Sequence, residues 1–143
     1  MNFEKLMTQL LEVEQQGPGS PFIAALYDEN QDAILTLGRN KSHLSKTRHG
    51  EMEAIAAGVE LGIKHWGELT LVSTAEPCCM CQGAIMWKGI QRVVFGTSIE
   101  TLSRLGWRQI QLSAQDVVQA TPFGECEIVG GILESDCDRL FIR

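Results

Sequence analysis

His49 and Glu51 stand one residue apart, and Cys78 and Cys81 lie three apart directly after Pro77. The two pieces read H-x-E and P-C-x-x-C. One imidazole and two thiolates are ligands for a metal such as zinc, and Glu51 is a carboxylate not needed for coordination. Three protein ligands leave the fourth tetrahedral position open to water, the arrangement of a catalytic site rather than a structural one. Zinc held in this way brings the pKa of water down from near 16 to about 7. A carboxylate two residues from a ligand is placed to move the proton of that water without coordinating, so Glu51 is the expected general acid and base.

The spacing also says where these residues must sit. Positions three apart share a helix face, so Cys78 and Cys81 can point at one metal from the first turn of a helix, while Cys79 lies about 100° around it. His49 and Glu51 open the preceding helix. Two helix N-termini then converge, and their unpaired amides and positive dipole ends favour thiolates. Glu53 competes with Glu51 on sequence alone, but the H-x-E spacing favours Glu51. A structural zinc site would need a fourth protein ligand, and Cys79, Cys126, Cys137, His43 and His65 are the spare candidates. A redox C-x-x-C leaves His49-Gly50-Glu51 unexplained.

The elements that position the motif follow from periodicity. Phe3, Leu6, Met7, Leu10 and Leu11 fall on one stripe, predicting an amphipathic helix over residues 3–14. Gly17-Pro18-Gly19-Ser20-Pro21 breaks it. Residues 22–27 and 33–37 read as a hairpin around the polar turn 28–32, and residues 38–48 as a loop. Helices are predicted over 51–64 and 78–88, with strands over 69–73 and 92–95. Alternating strands and helices at short spacing argue for an α/β sheet with at least two parallel neighbours. In the tail, residues 98–105 and 115–119 suggest short helices, 126–131 an edge strand, and 131–143 a final helix or docked arm.

The whole chain sets bounds. At 143 residues it suits a single domain. Its formal net charge of -6 disfavours unaided binding to a nucleic-acid backbone. Lys41, Lys46 and Arg48 form the notable basic cluster, and it reads as a solvated loop. No secretory or membrane-spanning stretch is legible. Five cysteines, three of them crowded at positions 78, 79 and 81, fit a reducing cytoplasm better than a disulfide framework.

At these residues the chain resembles the cytidine-deaminase-like superfamily, and within it the branch of guanine deaminases, small cytosine deaminases and tRNA adenosine deaminases. The signature itself is a recorded one for zinc deaminases of nucleobases. The densest stretch runs from Thr74 to Ile85 and is similar to the family's E-P-C-x-M-C-x-G-A segment. His49 to Ile55 resembles its H-A-E-x-x-A-I helix start, and Arg92 to Gly96 its following strand. The resemblance implies a three-layer α/β/α sandwich around a five-stranded mixed sheet. It implies one zinc per chain on His49, Cys78 and Cys81, with Glu51 as proton shuttle. It also implies substrate contacts at Asn40, at the backbone N–H of Gly50 and at Trp87. Asn40 could equally be a turn-forming residue, and Trp87 a core residue.

Departures shape the expected function. The loop before His49 lacks the family's D-P-T-A run, and the segment after Gly96 lacks the D-x-K-x-G-A-x-G-S run of tRNA-editing members. With the acidic charge, these favour hydrolytic deamination of a free amino-substituted base or close analogue. A guanine-like ring comes first, then a cytosine- or isocytosine-like ring or a nucleoside. The alternatives are tRNA adenosine-to-inosine deamination and, in another class, a non-catalytic zinc-binding interaction module. Phe123, Phe141 or the terminal residues are candidates to close the pocket, and the family suggests a homodimer.

Overall fold

A computed structural model describes residues 2–16 and 20–143. The predicted Gly-Pro-Gly break at residues 17–19 lies outside the described residues. In chain order the elements are α1 (Phe3–Gln15), β1 (Ile23–Asp28), β2 (Ala33–Arg39), α2 (Gly50–Glu60), β3 (Leu69–Ala75), α3 (Cys79–Lys88), β4 (Arg92–Thr97), α4 (Ile99–Arg104), α5 (Ala114–Ala120), β5 (Glu127–Val129) and α6 (Glu134–Leu140). Strands order as β2-β1-β3-β4-β5. The β1 strand is antiparallel to β2 and β3, while β3, β4 and β5 run parallel. This is the expected five-stranded mixed sheet.

Both faces of β1 and β3 are buried: β1 reads as an apolar run over Ile23–Tyr27, and β3 sends Leu71 and Val72 into opposite layers. Alternate residues go to opposite layers. Ala24, Leu26, Leu71, Val93 and Phe95 pack with Ala54 and Ile55 of α2 and Ile85 and Met86 of α3. Ile23, Ala25, Tyr27, Val72 and Val94 pack with Leu6, Met7 and Leu10 of α1 and Cys137 of α6. The result is a helix–sheet–helix sandwich. Asn2 caps α1 by accepting the Lys5 N–H at 3.0 Å.

Strands β2, β3 and β4 each run two residues beyond the sequence expectation, and the second helix falls short of it. The second helix ends at Glu60 rather than Lys64, because Gly62 takes a φ of +76° and Ile63 N–H turns back to the Gly58 carbonyl. The apolar spacing of Val59 and Ile63 continues the helical pattern past a glycine that stops it.

Two further features set the geometry around the motif. The first is the close approach of α2 to β2. A Cβ on Gly38 would lie 2.0 Å from the Gly50 carbonyl oxygen and 2.5 Å from the Ala54 nitrogen. Bare backbone on both sides lets the first turn of α2 lie directly on the sheet. The second is Glu76, buried in the link from β3 to α3. One of its carboxylate oxygens accepts the Ile99 N–H at 2.9 Å, and the other accepts the Ala114 N–H at 2.8 Å. These are the first residues of α4 and α5, so one carboxylate satisfies an orphan donor at the start of each. The tail is thereby tied to the motif-bearing edge of the sheet.

Gly38→Ala is expected to destabilise the fold by about 3 kcal/mol, since rigid backbone on the opposing helix has to move. A lowered urea midpoint would show it, and an unchanged midpoint would refute the close-approach argument. Glu76→Gln keeps the shape but aims an amide NH₂ at one of two backbone donors. Chemical denaturation should register a loss of about 1–3 kcal/mol.

Candidate active site

The β2 and β3 strands run in the same direction with β1 between them, so their C-terminal ends lie at one edge of the sheet. From that edge the chain enters α2 and α3. His49 and Cys78 both occupy the residue just before the helix, in extended backbone, and neither side chain caps its own helix. They are therefore free to point at each other. His49 Nδ1 lies 3.6 Å from Cys78 Sγ and 3.6 Å from Cys81 Sγ.

The three ligand atoms all fall within 4.8 Å of one another. Ligands bound 2.0–2.3 Å from a tetrahedral zinc sit roughly 3.5–3.8 Å apart, so the cluster fits that ion. Among the described residues, no fourth His, Cys, Asp or Glu joins the group. Cys79 is left out, as its position on the helix predicts. Hydrogen bonding from Cys81 draws the Cys78 thiol down to about 4, assisted by His49 and opposed by burial. The same pairing and its own burial push Cys81 up.

Glu51 is buried in the first turn of α2, and burial pushes its carboxyl up to about 7. It lines a cavity of about 200 Å³ together with His49 and Cys78. Glu53 points elsewhere: its carboxylate pairs with Arg48 at 2.7 Å and with Lys41 at 3.5 Å. Two of the three cations in the basic cluster are thereby engaged by the first turn of α2.

Asn40 stands between the cavity and the loop before α2. It lines the cavity, and its amide also shapes the loop: Oδ1 accepts the Ser42 N–H at 3.1 Å and Nδ2 donates to Ser20 Oγ at 3.2 Å. Gly50 is buried against Gly38 behind His49 and is not part of the cavity wall. Trp87 corrects both of its expectations. It is 76% exposed on the outer face of α3, with its ring centroid 4.4 Å from that of Phe123, and belongs neither to the cavity nor to the core. Position 87 lies about 100° around the helix from Met86 and about 200° from Ile85, on the side of α3 that faces away from the sheet.

Several cavity residues were not singled out from the sequence: Phe22, Ser42, Glu76, Trp107, Arg108 and Gln109. Trp107 is held by its Nε1–H donating to the Phe141 carbonyl at 2.7 Å and by edge contact with Phe22 at 5.2 Å. Phe141 is fully buried at 4.9 Å from Phe22, so it backs the wall rather than lining it. Phe123 lies on the outer face with Trp87. The one sequence signal for this wall is an aromatic and two long polar residues following Gly106, with no period to place them.

The family model for the cytidine and deoxycytidylate deaminase zinc-binding region matches residues 1–97, which include every motif residue above. A probable cytosine deaminase of Schizosaccharomyces pombe is 29% identical over 138 residues, covering 91% of this chain and 84% of that protein. A tRNA-specific adenosine deaminase of Haemophilus influenzae is 35% identical over 112 residues, 73% of this chain and 64% of that protein. A solved guanine deaminase from Nitrosomonas europaea superposes with a TM-score of 0.73 at 20% identity, covering 97% of this chain and 78% of that one. The chain belongs to the cytidine and deoxycytidylate deaminase zinc-binding family and is a hydrolytic deaminase.

Proposed function

We propose that the chain deaminates a free amino-substituted base, with a guanine-like ring first and a cytosine- or isocytosine-like ring or a nucleoside next. The observation that carries this reading is the cavity itself. At about 200 Å³ it is smaller than the roughly 300–1,000 Å³ of pockets that take drug-sized ligands. One heterocycle suits it, with the amine-bearing carbon at the floor beside Glu51 and His49.

His49, Cys78 and Cys81 would hold zinc, which supplies water activation at neutral pH when bound. Glu51 takes one proton from the attacking water and gives it to the ring nitrogen, then takes the second from the hydroxyl of the resulting adduct and gives it to the amine as a C=O forms. The water oxygen adds to the amine-bearing carbon, and the C–N bond breaks to release ammonia. A carboxyl poised near 7 can accept and donate with little penalty at neutral pH. The apolar wall of Phe22 and Trp107 excludes bulk water and offers a surface for the ring.

The tRNA reading draws on the tRNA-specific relatives. Against it stand the net charge of -6 and the internal pairing of Lys41 and Arg48 with Glu53. The interaction-module reading would call for a fourth protein ligand or a filled pocket, and the described residues provide neither.

We also infer a homodimer. Ala56 and Val59 on α2 and Trp87 on α3 are exposed, and Met80, Gly83 and Ala84 continue the α3 stripe. This stripe is uncharged, which lets two copies of an acidic chain meet without like-charge contact. Five free cysteines support a reducing compartment, the cytoplasm. Among the described residues no helix is long and apolar enough to cross a membrane.

Zinc-loaded protein should release ammonia from at least one of guanine, cytosine, isocytosine, adenine or their nucleosides. Silence across that panel, with inosine formed in a tRNA transcript, would transfer the assignment to tRNA. Glu51→Gln should keep its zinc by elemental analysis while turnover falls by ~10²–10⁴; retained turnover would remove Glu51 from its role. Trp87→Glu should convert a dimer to a monomer by light scattering, and a wild-type monomer would end the dimer inference.

A further inference from the structure

Arg108 stands apart from the other arginines. Arg48, Arg92 and Arg139 form ion pairs with carboxylates. Arg39 donates to the Val13 carbonyl, Arg104 to Thr101 Oγ1, and Arg143 lies over the Trp107 ring. Among the described residues Arg108 alone has no ion pair, hydrogen bond or ring contact, in a chain whose acidic residues outnumber its basic ones by 18 to 12. It is exposed, yet it lines the cavity.

The segment carrying it is anchored on both sides. Trp107 is fixed by the Phe141 carbonyl and by its own N–H donating to the Leu102 carbonyl at 3.0 Å. The Gln109 carbonyl accepts from Gln111 Nε2 at 2.9 Å, and the same nitrogen donates to Ser103 Oγ at 2.7 Å. Glu76 holds the flanking helix starts at Ile99 and Ala114. A guanidinium between pinned neighbours loses less freedom on binding than one on a free loop.

Among the described residues no other lining side chain is paired with it. Both Glu76 oxygens are engaged by backbone amides at the helix starts, and Glu51 lies buried in the first turn of α2. Asn40 is tied to Ser20 and Ser42. The cavity wall thus carries a guanidinium that no lining side chain engages, and a planar fork of donors matches an oxyanion.

We propose that Arg108 selects the substrate by binding an anionic oxygen substituent, a carboxylate or a phosphate, carried by the amino-substituted ring on the side away from Glu51. The inference rests on the deaminase reading of the same site and narrows its substrate class. A carboxylate directly on the ring suits the small cavity, and a phosphate would extend from it towards solvent.

The test compares matched pairs by ammonia release: cytosine with its 5-carboxylate, and cytidine with cytidine 5′-monophosphate. Wild type should prefer the anionic member of at least one pair by about tenfold or more in kcat/KM, the scale of one charge-assisted hydrogen bond. The pair that responds identifies the carrier. Arg108→Gln should collapse that preference and Arg108→Lys should restore part of it. Arg139→Gln, the same charge change away from the cavity, should leave the preference in place. Equal rates within both wild-type pairs, or a preference that survives Arg108→Gln, would overturn the proposal. If no pair yields ammonia, calorimetric titration of zinc-loaded Glu51→Gln with the same compounds separates the two ideas. Arg108-dependent binding of the anionic member upholds the inference while deamination fails; absence of such binding overturns it.

Discussion

Two helix starts meet at one edge of the sheet, and each presents its N-cap side chain to the other. At that position a chain ordinarily places a serine or aspartate that folds back onto the backbone amides. His49 and Cys78 leave those amides uncapped by their own side chains and reach across instead. The helix amides then face the thiol and imidazole cluster, where their partial positive charge favours thiolate over thiol. Three residues on two helices become one donor set only because β2 and β3 run in the same direction around β1. The bare backbone at Gly38 and Gly50 brings α2 close enough for the set to close. Coordination, burial of Glu51 and the cavity floor all depend on that convergence.

Burial of Glu51 has a cost that the same convergence offsets. A carboxyl moved out of water tends to lose its charge, and its displacement to about 7 expresses that tendency. Its neighbour two residues on, Glu53, has the same chemistry and the opposite fate. Arg48 holds Glu53 below the ordinary carboxylate range against its burial, with Lys41 adding a lesser pull in the same direction. Two glutamates two residues apart are thus divided between a buried group able to exchange protons near neutrality and a partly buried anion paired with the loop before α2. Environment decides the difference, as it does for paired carboxylates generally.

How much of this was legible in the sequence depends on the range of the interactions. Ligand spacing within one helix turn and apolar periods of two and 3.6 are local, so the metal cluster, the strands and most of the helices could be read directly. The end of α2 was misread because Val59 and Ile63 continue the apolar period across Gly62, where backbone conformation overrides pattern. Trp87 was misplaced because family position says which residue is near a pocket but not which side of a helix faces out in this chain. Residues 107–109 were invisible as a wall. They have no period, and they reach the site through contacts far along the chain, from Glu76 to Ala114 and from Trp107 to Phe141.

That division between local and distant contacts also separates reaction from substrate. The residues that define the reaction lie in two short segments whose geometry is set by helix starts, so they can be recognised wherever the fold occurs. The residues that meet the rest of a substrate come from elsewhere: the entry to β1 at Phe22, the loop at Asn40 and Ser42, and the tail at Trp107 to Gln109. None of these is constrained by metal coordination. One carboxylate caps both short helices that flank the Trp107–Gln109 loop, so that loop can change length and composition without disturbing the cluster. A deaminase built this way can keep its chemistry while the far wall of its cavity is rebuilt for a different ring. The side chains on that wall, rather than the shared motif, therefore hold the information about which molecule enters.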